Sequence, residues 1–221
     1  HKVCGEYISN EVLPYLQALN FNPFDFGAKK IQQFTLSTPK SKSISTKLPL
    51  GGFGISRYCI DWELSKLAKQ NGAEILHEKV IDIQFKNNQF TVVISPEKQF
   101  TSELVIGSFG KRSNMDIQMD RAFIQKKTPF LGIKAHYKGN LPDDVVGLHN
   151  FEGGYCGISK VETDLVNVCY IADYKSFKKH KNIDDFQQKV LSTNKYLKDV
   201  FENFEMTFDN PLTISQVSFS S

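Results

Sequence analysis

The segment Gly51-Gly52-Phe53-Gly54-Ile55-Ser56-Arg57-Tyr58-Cys59-Ile60-Asp61-Trp62-Glu63-Leu64 constrains the fold more than any other part of the chain. A glycine-rich turn delivers one arginine to the start of an amphipathic helix. Ile60, Leu64, Leu67 and Ala68 fall on one face of that helix, so it has to rest on a core. Asn71 and Gly72 supply the stop. Arg57 sits where the helix macrodipole disfavours cations. Two readings account for it. An anion such as phosphate shares the site, held by the helix N-terminus and a bidentate guanidinium. Alternatively, Arg57 pairs with a nearby carboxylate, Asp61 or Glu63.

Upstream, Asn10 caps a short helix with Val12, Leu13, Leu16 and Leu19 on one face, and Pro14 falls in its first turn. Residues 21–26 read as an aromatic loop. Residues 30–37 and 43–48 read as strands around the turn Thr38-Pro39-Lys40-Ser41. After the Arg57 helix, strands are expected at 74–77, 80–85, 89–94 and 102–108, with Asn87-Asn88 as a tight turn. The character changes near Met115. Residues 130–137, 145–151, 155–161 and 165–171 read as consecutive strands of an antiparallel meander. A helical region follows, capped by Asp184 and broken at Ser192-Thr193-Asn194. Phe186, Val190, Leu197, Val200, Phe201 and Phe204 form its buried face, and residues 213–219 close as a strand.

Four segments carry a resemblance: Lys2-Val3-Cys4-Gly5-Glu6, Ser56-Arg57-Tyr58 with Asp61, Ile106-Gly107-Ser108-Phe109-Gly110-Lys111-Arg112-Ser113, and Gly153-Gly154-Tyr155-Cys156-Gly157-Ile158-Ser159. In this order and spacing the chain resembles the geranylgeranyl-reductase-like FAD-dependent oxidoreductases, relatives of the flavoprotein aromatic monooxygenases. The resemblance implies an α+β fold: an antiparallel substrate-domain sheet with helices, plus an incomplete piece of a Rossmann-like FAD-binding domain. It implies a partial FAD-binding domain over 1–114 and a substrate domain over 115–221. It places Lys2, Val3, Cys4, Arg57 and Gly110 at FAD, with Cys4 beside the flavin ring. Tyr155 and Phe151 are substrate-pocket candidates; equally, they are aromatics that fill a core.

Three departures matter. Phe109 stands where the family has an aspartate, which leaves use of NAD(P)H open. Gly157 stands where the family often has tryptophan, which reshapes the substrate pocket. The Gly-x-Gly-x-x-Gly cradle for a dinucleotide pyrophosphate is absent, since Gly52-Phe53-Gly54-Ile55-Ser56-Arg57 lacks the third glycine. The expectation is therefore an internal fragment of a longer flavoprotein, unable by itself to hold FAD tightly.

Composition narrows the function. A chain of 221 residues can bury a sizeable core as one large domain or two small ones. Formal net charge is +3, and the one basic run, Lys175 to Lys181, lacks interleaved aromatics, which argues against a nucleic-acid partner. No apolar stretch approaches the roughly 20 residues of a membrane span. Four scattered cysteines suit a reducing, cytoplasmic setting, and no Cys/His spacing offers a metal site. The five histidines are scattered and none is assigned a catalytic role. The leading expectation is a flavin-dependent oxidoreductase, reductase or monooxygenase, acting on a small apolar substrate, lipid-like or aromatic. The alternatives are a non-catalytic α+β module that binds lipid or peptide, and a structural domain of a larger assembly.

Overall fold

A computed structural model describes residues 2–110, 113–125 and 128–215. In chain order, strand β1 is Tyr7–Ser9, helix α1 Leu13–Ala18, β2 Lys29–Ser37, β3 Ser43–Gly54 and α2 Arg57–Gln70. Then come β4 Asp82–Lys86, β5 Gln89–Ser95, β6 Lys98–Ser102 and α3 Asn114–Gln118. The last part holds β7 Phe130–Lys138, β8 Val145–Phe151, β9 Gly154–Lys160, β10 Val166–Asp173, α4 Tyr174–Phe177, α5 Ile183–Lys189, α6 Lys195–Asn203, β11 Glu205–Met206 and β12 Leu212–Ser215. The chain is α+β, as expected.

Two compact units form. The larger combines His1–Asn71 with Pro129–Phe219, and the smaller contains Gly72–Thr128. In the larger unit nine strands make one sheet in the order β1-β3-β2-β8-β9-β10-β7-β11, with β12 also on β7. The strands between 130 and 171 do share one antiparallel sheet, but their order is not that of a simple meander: β7 lies beside β10 rather than β8. The parallel pairing of Gln33–Ser37 with Val145–His149 then joins β2 and β3 to that sheet.

Alternation along the strands sorts the sheet into two faces. Leu131, Ile133, Ala135, Tyr137, Cys156, Ile158, Val166, Val168, Tyr170 and Ala172 form one apolar face, which Phe186, Leu191, Leu197 and Val200 of the helical layer cover. Val190, Phe201 and Phe204 pack at its margin. The break expected at Ser192-Thr193-Asn194 is present: a 3₁₀ turn spans Leu191–Thr193, and Asn194 caps α6 through Tyr196 N–H. A second cluster, of Leu16, Phe21, Phe53, Ile55 and Ile60, receives Leu64 and Leu67 of α2.

Several local expectations are corrected. Ser9 caps the first helical turn; Asn10 instead donates Nδ2 to the Leu50 carbonyl at 2.9 Å. Asn182, not Asp184, caps α5. The glycine stretch is no turn. Strand β3 runs through it to Gly54, because β1 and β2 both pair with it there.

The smaller unit is a three-stranded antiparallel sheet with α3. Asn87 and Asn88 both take positive φ and make its first turn, as expected. No strand forms at 74–77 or 103–108; Leu76, Leu104 and Ile106 of those segments are exposed. The closing strand is present over Leu212–Ser215; 216–219 lie outside the described residues. Among the described residues no helix is long and apolar enough to cross a membrane.

Candidate functional site

The start of α2 is the natural place to begin. Ser56 caps it by accepting from Cys59 N–H at 3.0 Å. The first turn contains no acidic residue, yet two carboxylates reach it from elsewhere. Glu6 Oε1 accepts Arg57 N–H at 2.8 Å, and Glu162 accepts both Ser56 N–H at 2.8 Å and Ser56 Oγ–H at 2.5 Å. Protein carboxylates thus occupy the electropositive helix end that a phosphate would otherwise favour. Arg57 itself pairs with Asp61, donating Nε and Nη2 at 2.9–3.1 Å. Lys2 Nζ meets the same carboxylate at 3.0 Å. Burial alone would raise the Asp61 carboxyl, but hydrogen bonds from Lys2 and Arg57 outweigh it and hold it low. Two cations against one carboxylate leave the cluster Lys2–Arg57–Asp61 with a surplus positive charge. The Arg57 guanidinium also touches the Cys4 thiol.

Glu6 anchors the second part of the site. It takes φ +54°, a left-handed conformation rare outside glycine. Its carboxylate meets Lys134 Nζ at Oε1 and His136 Nε2 at Oε2, the latter at 2.6 Å. Glu6 and Lys134 are fully buried and His136 is 2 % exposed. Burial alone would raise the Glu6 carboxyl. The hydrogen bonds from His136 and Lys134 overcome it, and the group sits below its ordinary range.

Lys134 and His136 belong to the second face of the sheet, with Asn167, Cys169 and Ile171 of β10 and Tyr155, Gly157 and Ser159 of β9. Segment 4–6 lies on this polar face: Asn167 Nδ2 donates to the carbonyls of Cys4 at 3.3 Å and Gly5 at 2.8 Å. Asn167 Oδ1 and its cross-strand neighbour Ser159 Oγ are buried with no hydrogen-bond partner among the described atoms. Toward Tyr155 the face opens. Tyr155 is 36 % exposed, and a Cβ on Gly5 would meet nothing within 4 Å. On Gly157 it would touch only the Cys169 carbonyl at 3.7 Å. Small residues thus leave a shallow strip between Cys4 and Tyr155.

The residues expected at a site divide accordingly. Lys2, Cys4 and Arg57 come together, with Val3 between them in the chain. Tyr155 lies on the same sheet face as the Cys4 strip. Phe151 lies on the opposite one, 3 % exposed and edge-on to Tyr170 and Phe186, where it fills the core. Gly110 belongs to the smaller unit and takes φ +74°. Lys111 and Arg112 of its motif lie outside the described residues. No group of three or more metal-ligating side chains occurs among the described residues.

Sequence reasoning passed over Glu6, Lys134 and His136. The signal was present: Lys134 and His136 interrupt, two apart, the apolar run from Leu131 to Tyr137. A second buried network, behind α6, was also missed. Ser37 Oγ and His149 Nδ1 are 2.9 Å apart, Asn194 Nδ2 donates to Ser37 Oγ at 2.7 Å, and Tyr196 stacks on the His149 ring at 4.9 Å. Burial pushes His149 down to about 4.

No family model matches the sequence, and no curated protein does. Solved structures do share the fold. A flavoprotein/dehydrogenase from Cytophaga hutchinsonii superposes with TM-score 0.77 at 13% identity over 97% of this chain and 57% of its own. The flavin-dependent brominase Bmp2 gives 0.74 at 14% identity over 96% and 57%. A geranylgeranyl bacteriochlorophyll reductase-like protein from Thermoplasma acidophilum gives 0.73 at 13% identity over 96% and 56%. The chain therefore spans little more than half the length of these proteins. The halogenase PltM, solved with FAD and phloroglucinol, gives 0.69 at 12% identity over 86% and 44%.

Proposed function

We propose that the chain is part of a flavin-dependent oxidoreductase that uses FAD and acts on a small apolar substrate. The observation that carries this reading is the strip on the polar sheet face. Small residues, Gly5 and Gly157, lie between a cationic cluster at one end and the half-exposed Tyr155 at the other. A flat ring carrying an anionic tail has that distribution of shape and charge. FAD, when bound, supplies the redox chemistry.

The chain's own residues bind and orient. Arg57 and Lys2 would hold phosphate or ribityl oxygens at the surplus positive charge. Val3 and Cys4 would lie against the ring, with Glu6 holding that segment through Lys134 and His136. Tyr155 lines the substrate side; Gly110, in the smaller unit, is a left-handed turn residue. By role, 1–114 serve the cofactor and 115–221 the substrate. Phe109, where the resembling family has aspartate, favours a reductant other than NAD(P)H or a different mode of holding it.

The fit is partial. A Cβ on Gly52 would strike the Tyr7 ring and one on Gly54 the Lys160 carbonyl, so those glycines admit protein, not phosphate. They therefore supply no phosphate cradle. The test is the absorbance spectrum of the intact protein, followed by identification of any released flavin. Stoichiometric FAD, bleached on reduction, is the expected result. A colourless protein that does not take up added FAD would overturn the reading in favour of a redox-inactive binding module.

A further inference from the structure

Cys4 and Cys169 meet at the strip. Asn167 and Cys169 are two apart on β10 and face the same way, and Asn167 holds the carbonyls of Cys4 and Gly5. Cys169 pairs in register with Lys134, which holds Glu6. The backbone from Cys4 to Glu6 is thus pinned at both ends over β10 and β7, and Cys4 is set above Cys169. The Cys4 N–H in fact faces the Cys169 sulfur. Both thiols are free and partly accessible. The other two cysteines are elsewhere: Cys156 is buried on the opposite face, and Cys59 lies on α2 against the second apolar cluster.

We propose that Cys4 and Cys169 form an oxidisable dithiol that closes as an intrachain disulfide, tying the Cys4–Glu6 segment to β10. A disulfide needs sulfurs that rotation about the two side chains can bring into bonding distance. Asn167 anchors the Cys4 carbonyl two residues along the same strand face from Cys169, which places the two side chains beside one another. The oxidant is a hydroperoxide, and the atoms balance in two steps. The Cys4 sulfur attacks the peroxide oxygen, the O–O bond breaks, and hydrogen peroxide leaves as water with Cys4 as its sulfenic acid. The Cys169 sulfur then attacks the Cys4 sulfur; the S–O bond breaks, and the hydroxyl departs with the Cys169 proton as a second water. Two thiols are oxidised and one peroxide is reduced. Burial pushes the Cys169 thiol up to about 12, so this second step is the slow one and needs the departing hydroxyl to take the thiol proton as the sulfurs join. Neither the pairing nor its test depends on the flavin reading.

Treating the intact protein with stoichiometric hydrogen peroxide, counting thiols and mapping peptides without reduction tests the pairing. The expected result is loss of two of the four free thiols, restored by dithiothreitol, with one linked species containing Cys4 and Cys169. In Cys169→Ser the link disappears and dimedone traps a sulfenic acid at Cys4, while Cys59→Ser leaves the link intact. Cys4 and Cys169 remaining free, pairing with Cys59 or Cys156, or linking between chains would overturn the proposal. If Cys169→Ser does not fold, the wild-type peptide map decides alone.

Discussion

At the scale of single residues, the informative group is a carboxylate. Glu6 is fully buried, strained in its backbone, and bonded to Lys134, His136 and the first N–H of α2. Removing one member of a buried ion cluster strands the others, typically at about 3–5 kcal/mol. Glu6→Gln is therefore expected to lower unfolding stability by roughly that amount in urea denaturation, and Glu6→Gln combined with Lys134→Met to recover much of it. A single-variant loss near zero would mean the cluster is solvated. His149 gives the pH dependence. Its folded value, about 4, lies below the ordinary 6.5, so the unfolded chain takes up the proton first as pH falls. Stability should thus drop through that window, by about 3 kcal/mol at pH 4 relative to neutral pH. Comparing wild type with His149→Gln isolates the contribution; equal slopes would contradict it. These residues were hard to read from sequence because their partners are remote: Glu6 and Lys134 are 128 positions apart. Arg57 was legible as one of two alternatives, and the local pair with Asp61 forms because it lies one helical turn away.

At the scale of elements, periodicity was a good guide wherever one face met a core. The faces of α2, α5 and α6 were legible, including the break before Asn194, since burial enforces the period. Caps were less so, because neighbouring polar residues compete for the same orphan N–H groups: Ser9 outdid Asn10, and Asn182 outdid Asp184. The glycines of β3 read as a turn, yet they are strand residues whose missing Cβ lets Tyr7 and the Lys160 carbonyl approach. The helical layer carries a direct prediction. Phe186→Ala and Leu197→Ala each remove a fully buried side chain and should cost about 3–5 and 2–5 kcal/mol respectively in denaturant unfolding. Lys198→Ala, on the exposed side of α6, should change stability by less than about 0.5 kcal/mol. Similar losses at all three would mean that α6 does not bury the face described.

At the scale of the whole molecule, strand order was the least legible feature. Alternation says which face a residue takes but not which strand it joins. The β2–β8 pairing links positions more than 100 apart, and β7 crosses over to lie beside β10. That topology is what sets Cys4, Glu6 and Arg57 against the polar face of the sheet. The Lys2–Arg57–Asp61 cluster is proposed to take the anionic part of a flavin. A flavin titration of the intact protein tests it most directly, comparing wild type with Arg57→Ala and Asp61→Asn. Binding should weaken in Arg57→Ala by about tenfold or more, for loss of a charge-assisted contact, and be equal or tighter in Asp61→Asn, where the competing carboxylate is gone. Unchanged flavin affinity in Arg57→Ala, or the same weakening in both variants, would contradict it.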